Sequence, residues 1–158
     1  MTTLISNNTY GELHKLDKPY VIILKNTYTP FGIQTSFNKR IIHWYIKSID
    51  DIKLIRHFQE DLQNNILKDA NLIINTKITQ KDNYPPIIET NINTNLDSDE
   101  CISHDTGEIV TYNCITKKTR ADVLISCDTI VLMKNKVNMI WNIDKIVRYP
   151  DIKKCQSL

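Results

Sequence analysis

The chain has 158 residues, 41% of them hydrophobic and 24% charged, with a formal net charge of +2; this is the balance of an ordinary globular protein with a real core. No stretch approaches the run of about 18 apolar residues that crosses a membrane as a helix. The N-terminus, MTTLISNNTYGELHKLDK, has no basic region leading into an apolar core, which predicts no signal peptide. The four cysteines, Cys101, Cys114, Cys127 and Cys155, form no CxxC pair, so free thiols are expected in place of a disulfide scaffold.

In chain order, residues 1–17 are polar and are expected to form a flexible N-terminal segment. KPYVIILKN, from Lys18 to Asn26, is apolar and β-branched, with a proline near its start, and reads as a buried strand. TPFG is a turn, because Pro30 fixes φ and Gly32 accepts a positive one. IIHWYIK, from Ile41 to Lys47, alternates: Ile42, Trp44 and Ile46 face one way, His43, Tyr45 and Lys47 the other. The pattern then predicts one long helix over Ser48 to Asp69. Ser48 caps it, Asp50 and Asp51 occupy the first turn, and Ile52, Ile55, Phe58 or Gln59, Leu62 and Ile66 form the apolar stripe.

The remainder reads as β. Strands are expected at Asn71–Thr79, Ile87–Asn93, Glu108–Cys114, Ala121–Met133 and Lys136–Val147, with Lys134 and Asn135 closing a tight hairpin. In the last strand Val137, Met139, Trp141, Ile143 and Val147 share one parity, interrupted by Lys145. Thr94 to Gly107 is a polar, acidic connection. The sum is a mainly β chain with one long helix, an α+β arrangement compatible with an OB-like antiparallel barrel over 18–149, followed by a polar tail at 150–158.

Charge is unevenly spread. Residues 1–48 and 108–158 are each net +4, while 69–107 are net −5. Two basic segments brought together on folding would make a positive face suited to a polyanion; an evenly solvated surface is the alternative. The chain has no phosphate-binding loop, GxGxxG, HExxH or GxSxG motif, and no enzyme chemistry is expected. Cys101-x-x-His104 supplies only two of the four ligands that zinc takes, so neither a metal nor another cofactor is expected. Cys127 falls on an apolar parity with Val123 and Ile125 and reads as a core thiol. Trp44 and Trp141 also fall on apolar faces.

What remains is strands, cations and rings. Single strands of nucleic acid are held by a cationic groove with aromatic platforms. The candidates for phosphate contact are Lys25, Lys39, Arg40, Lys47, Lys117, Lys118, Arg120 and Lys136. Those for stacking are Tyr28, Phe31, Tyr45 and Tyr112, and His43 shares the face of Tyr45. Phe31 also has the makings of a core plug, and Lys117-Lys118-x-Arg120 those of a charged hairpin tip that blocks edge pairing.

KPYVIILKNTYTPFG, followed by a strand and an amphipathic helix, resembles the start of the single-stranded DNA-binding proteins of large nucleocytoplasmic DNA viruses, relatives of the podophage type. NYPPIIETNIN is similar to that family's later strand, and ADVLISCDTIVLMKNKVNMIWNIDKIVRY to the hairpin that completes its barrel. The resemblance covers most of 18–149. It implies an OB fold that binds single-stranded DNA without sequence preference in viral replication, recombination or repair. It also implies replication proteins as partners, leaves a homodimer open, and implies a location at the viral replication site in the host cytoplasm or in the virion. One feature departs from the pattern: the related phage proteins end in an acidic tail that recruits partners, and DIKKCQSL is not acidic. A β-rich structural component of a virion or other assembly is the rival expectation.

Overall fold

A computed structural model describes residues 2–8, 11–36, 39–69, 71–81, 83–92, 100–103, 109–111 and 115–150. Among these lie eleven strands: β1 (Thr2–Asn8), β2 (Gly11–Tyr28), β3 (Ile33–Ser36), β4 (Lys39–Tyr45), β5 (Ile73–Asn75), β6 (Ile78–Thr79), β7 (Ile87–Asn91), β8 (Glu100–Ser103), β9 (Ile109–Thr111), β10 (Arg120–Met133) and β11 (Lys136–Arg148). One helix, α1 (Ile49–Asp61), runs on into a π-helical turn over Leu62–Leu67.

The strands join in one sheet, ordered β1-β2-β10-β11-β7-β4-β3 along its main path. The sheet is mixed. β11 meets β5, β7 and β8 in parallel, while its pairing with β10 and the β2–β10, β3–β4 and β4–β7 pairings are antiparallel. The expected antiparallel barrel therefore needs two corrections: some pairings are parallel, and the sheet does not close. Among the described residues no ladder joins β2 to β4. They are bridged instead by the Thr27 hydroxyl, which donates to the Tyr45 carbonyl, and by Lys47 Nζ, which donates to the Asn26 carbonyl at 3.1 Å.

The core follows the alternation. Ile42, Trp44, Ile46, Val123, Ile125, Cys127, Val137, Met139 and Trp141 are all essentially inaccessible to solvent. Burial pushes the Cys127 thiol up to about 12, as befits an inert core sulfur. Ser48 caps α1, its Oγ accepting from the Asp50 N–H at 3.2 Å. Ile55 and Leu62 are buried, with Ile52, Phe58 and Ile66 packed beside them. Phe58 stacks on Tyr20 with ring centroids 4.7 Å apart, which fixes the helix against β2.

Several elements differ from the expectation. Residues 1–17, expected to be loose, carry β1 and the start of β2 as a hairpin with Leu16 in the core. Gly11 permits it: its φ is +132°, and a Cβ there would lie 2.7 Å from the Leu132 carbonyl oxygen. The 18–26 strand is buried on one face only, since Val21 and Ile23 remain nearly half exposed. The 71–79 strand is broken into β5 and β6 by Lys77, whose φ is +67° and whose N–H donates to Asn75 Oδ1. In β11 the parity switches at a bulge: Leu124 pairs Lys145 and Ile125 pairs Ile143, leaving Asp144 as the extra residue. Ile146 takes the core position in place of Val147.

Candidate nucleic-acid interface

The candidate interface is the outer face of β3, β4, β7 and β6. Pairing of β4 with β7 sets Tyr45 opposite Ile87, His43 opposite Glu89 and Ile41 opposite Asn91. Because strand side chains alternate, Lys39, Ile41, His43, Tyr45 and then Lys47 lie in one row on that face. The row spans about 26 Å at the usual rise per residue.

Three hollows open along it. At one end Lys39, Ile41, Lys77, Glu89 and Asn91 line a cavity of about 200 Å³. In the middle Pro30, Phe31, Tyr45, Lys81, Tyr84 and Ile87 line one of about 330 Å³. Beyond Tyr45 a third, of about 410 Å³, lies between the end of β2 and the start of α1, with Lys25, Lys47, Asp50 and Asp51 on its walls.

The middle hollow concentrates the rings. Phe31 is 46% exposed and Tyr84 65% exposed, although both are large apolar side chains. Phe31 is therefore not a core plug. It is presented by the Thr29–Gly32 turn, where Gly32 has φ +70° and donates its N–H to Thr29 Oγ1 at 3.0 Å. Its ring meets His43 edge-on at 5.7 Å. Tyr45 packs against Tyr28 at 4.4 Å, and Lys47 Nζ lies 5.6 Å from the Tyr28 ring centre, within cation–π range. Burial, and then the neighbouring Tyr28 and Tyr84 hydroxyls, raise the Tyr45 pKa, so Tyr45 presents a neutral phenol.

His43 is held from two sides. Its Nδ1 lies 3.0 Å from Gln34 Oε1, and its Nε2 lies 3.8 Å from a Glu89 oxygen. Burial lowers its pKa and the Glu89 charge pulls the other way; burial is the larger effect. His43 is thus a neutral ring at pH 7.

Most of the cations reach this region, each by its own route. The Lys117–Lys118 turn docks on the Phe31 turn: Lys118 N–H donates to the Thr29 carbonyl at 2.7 Å, and the Gly32 backbone sits against Lys117. Lys25 stands 3.9 Å from Asp122 and is three-quarters exposed. Arg120 lies over the Tyr149 ring at 5.6 Å and within 3.5 Å of Asn26 Oδ1, at the end of β2. Two residues are not brought in. Arg40 has the parity of Ile42 and Trp44, away from the row. Lys136 sits at the tip of the β10–β11 hairpin, on the order of 40 Å along β10 from Arg120 and the Phe31 turn; it lines none of the three hollows, although Met139, three residues on, lines the one at the Lys39 end. Tyr112, Cys101 and His104 have side chains outside the described residues, as does the acidic connection apart from the backbone of β8. Tyr84 and Lys81 were not predicted. Their signal is the short KDNYPP turn, which gains meaning only when β6 and β7 carry it beside Phe31.

No protein-family model matches the chain, and no curated protein is similar to it in sequence. In three dimensions it is similar to the single-stranded DNA-binding protein from bacteriophage Enc34 in complex with ssDNA, with a TM-score of 0.60 and 14% identity over 96% of this chain and 97% of that one. A C-terminal truncation of the same phage protein gives a TM-score of 0.57 and 17% identity over 97% of both chains. The fold is of the OB type. The resemblance drawn from short motifs thus finds its counterpart in fold among phage proteins, and no sequence match stands behind the large-virus lineage. The open, mixed sheet is one form of that fold, in which the Thr27–Tyr45 and Lys47–Asn26 bridges join β2 and β4 without a ladder.

Proposed function

We propose that the protein binds single-stranded DNA along the outer row of β4, as a non-enzymatic accessory of viral DNA replication, recombination or repair. The observation that carries this reading is the convergence of Phe31, Tyr45 and Tyr84, from three separate segments, around one hollow flanked by lysines. Two of these rings stay largely exposed where a fold seeking only stability would bury them. Bases stack on such rings whatever their identity, and lysines neutralise the linkages between them. Lys25, Lys47, Lys81, Lys117 and Lys118 supply the charge, and the row is long enough for several nucleotides. The likeness in fold to a phage protein solved with ssDNA supports the same reading. Replication proteins as partners, a homodimer and a place at the cytoplasmic replication site or in the virion belong to this proposal.

Fluorescence anisotropy with labelled oligo-dT and the matching duplex, across a salt series, tests it. Single-strand binding should be the tighter, and should weaken with a log–log slope of about −0.7 per phosphate neutralised. Absence of binding to the single strand at low salt would overturn the reading and favour the structural alternative.

A further inference from the structure

We propose that Glu89 reads one base of the bound strand, favouring a base with an exocyclic amino group over thymine. The inference rests on the single-stranded DNA reading above and assigns it a specificity-determining residue. Its starting point is an anomaly of charge. Glu89 lies in the middle of the outer face, opposite His43, where its neighbours along the row are rings and cations and the nearest other acids of the three hollows, Asp50 and Asp51, stand at the far end. A carboxylate there repels phosphate, so it is not a backbone contact.

Its oxygens are also left open. One lies 3.8 Å from His43 Nε2 and the other 4.0 Å from Lys77 Nζ, both beyond hydrogen-bond distance. Among the described residues no side chain or backbone group donates a hydrogen bond to either oxygen. Only a third of the side chain is exposed. A carboxylate has about four acceptor sites, and a partly buried one without donors is improved by a ligand that brings them.

The surroundings define that ligand. Glu89 shares its cavity of about 200 Å³ with Lys39, Lys77, Asn91 and the apolar side of Ile41. An acceptor thus shares one hollow with two lysines over an apolar floor. The Watson–Crick edges of cytosine and adenine carry an amino donor next to a ring-nitrogen acceptor, and that of guanine carries an amino donor and a ring N–H with a carbonyl acceptor beyond them. The amino group donates to Glu89, and a lysine donates to the neighbouring acceptor. Thymine sets two carbonyl oxygens around a single N–H, and opposes the carboxylate with acceptors. Single strands expose these edges, because no partner strand covers them. Stacking at Phe31, Tyr45 and Tyr84 remains indifferent to sequence; the Glu89 subsite adds a preference at one position.

The test compares oligo-dC with oligo-dT at pH 8, where cytosine is unprotonated, using the wild-type chain and Glu89→Gln. The glutamine is isosteric and able to donate to a thymine carbonyl. The wild type should bind oligo-dC about ten-fold more tightly, the scale of one good base-edge contact. Glu89→Gln should abolish most of that difference, chiefly by gaining affinity for oligo-dT. Equal wild-type affinities, with Glu89→Gln strengthening both oligomers alike, would overturn the inference: Glu89 would then be only an electrostatic brake, and single-strand binding would stand. No binding to either oligomer would remove the functional proposal itself, and this inference with it.

Discussion

The outer row of β4 and the outer row of the middle of β2 make an instructive pair. Both strands alternate, and both place Ile, Leu or an aromatic residue in the core. Outside, β4 shows Lys39, His43 and Tyr45, continued by Lys47, whereas β2 shows Val21, Ile23 and Lys25. The larger difference lies in what joins each row. Phe31, Gln34, Glu89, Lys81 and Tyr84 arrive around β4 from other segments. Val21 stays nearly half exposed and lines none of the three hollows, while Ile23 reaches only the wall of the third. Alternation tells which side of a strand is wet; convergence of side chains from distant segments tells which wet side is a site.

The sharpest way to break this comparison uses two adjacent residues of β4. Trp44 is wholly buried, so Trp44→Ala should cost about 3–5 kcal/mol of stability, read from urea unfolding. Tyr45→Ala should cost clearly less stability and instead lose about 1–3 kcal/mol of single-strand affinity. Equal stability losses at the two positions would mean that the outer row is structural after all. On β2, replacing Val21 by serine should leave single-strand affinity unchanged; a loss comparable to that of Tyr45→Ala would put the interface on the wrong face.

A smaller effect sharpens the electrostatics. His43 has a lowered pKa in the folded state, chiefly through burial. Below its unfolded value of about 6.5 the unfolded chain binds a proton that the folded chain resists. Stability should be full above that pH and should fall as pH drops through and below it. In His43→Gln this part of the dependence should be missing. Urea midpoints from pH 8 to pH 5 measure it, and identical profiles for the two proteins would contradict the assignment.

Much of the local structure was readable in the chain. The alternation of Ile41 to Lys47 placed Trp44 inside and Tyr45 outside, Ser48 announced the helix, and the parity of Cys127 with Val123 and Ile125 marked a core thiol. What escaped depended on contacts distant in sequence. The polar N-terminus looked loose because its order comes from β1–β2 pairing and from a glycine turn against Leu132. The bulge at Asp144 exchanged Val147 for Ile146, which no period-two count anticipates. Lys136 looked like any other exposed lysine until the length of β10 carried it away from the aromatic end of the row. Tyr84 lay hidden in a proline turn until β7 paired with β4. Pairing of β4 with β7 also turned Glu89, one more residue of an alternating strand, into an acid on a basic face.

The most direct test of the central claim, that the strand binds at the aromatic end of the β4 row, is a single-strand isotherm at one fixed salt for three proteins. These are the wild type, the double variant Phe31→Ala/Tyr84→Ala, and Lys136→Glu. Two exposed stacking rings are each worth about 1–3 kcal/mol, so the double variant should lose at least ten-fold in affinity while its urea midpoint changes little. Lys136→Glu, at the hairpin tip on the order of 40 Å along β10 from Arg120 and the aromatic end, should lose much less. An intact affinity in the ring variant, or an equal loss in Lys136→Glu, would contradict the site.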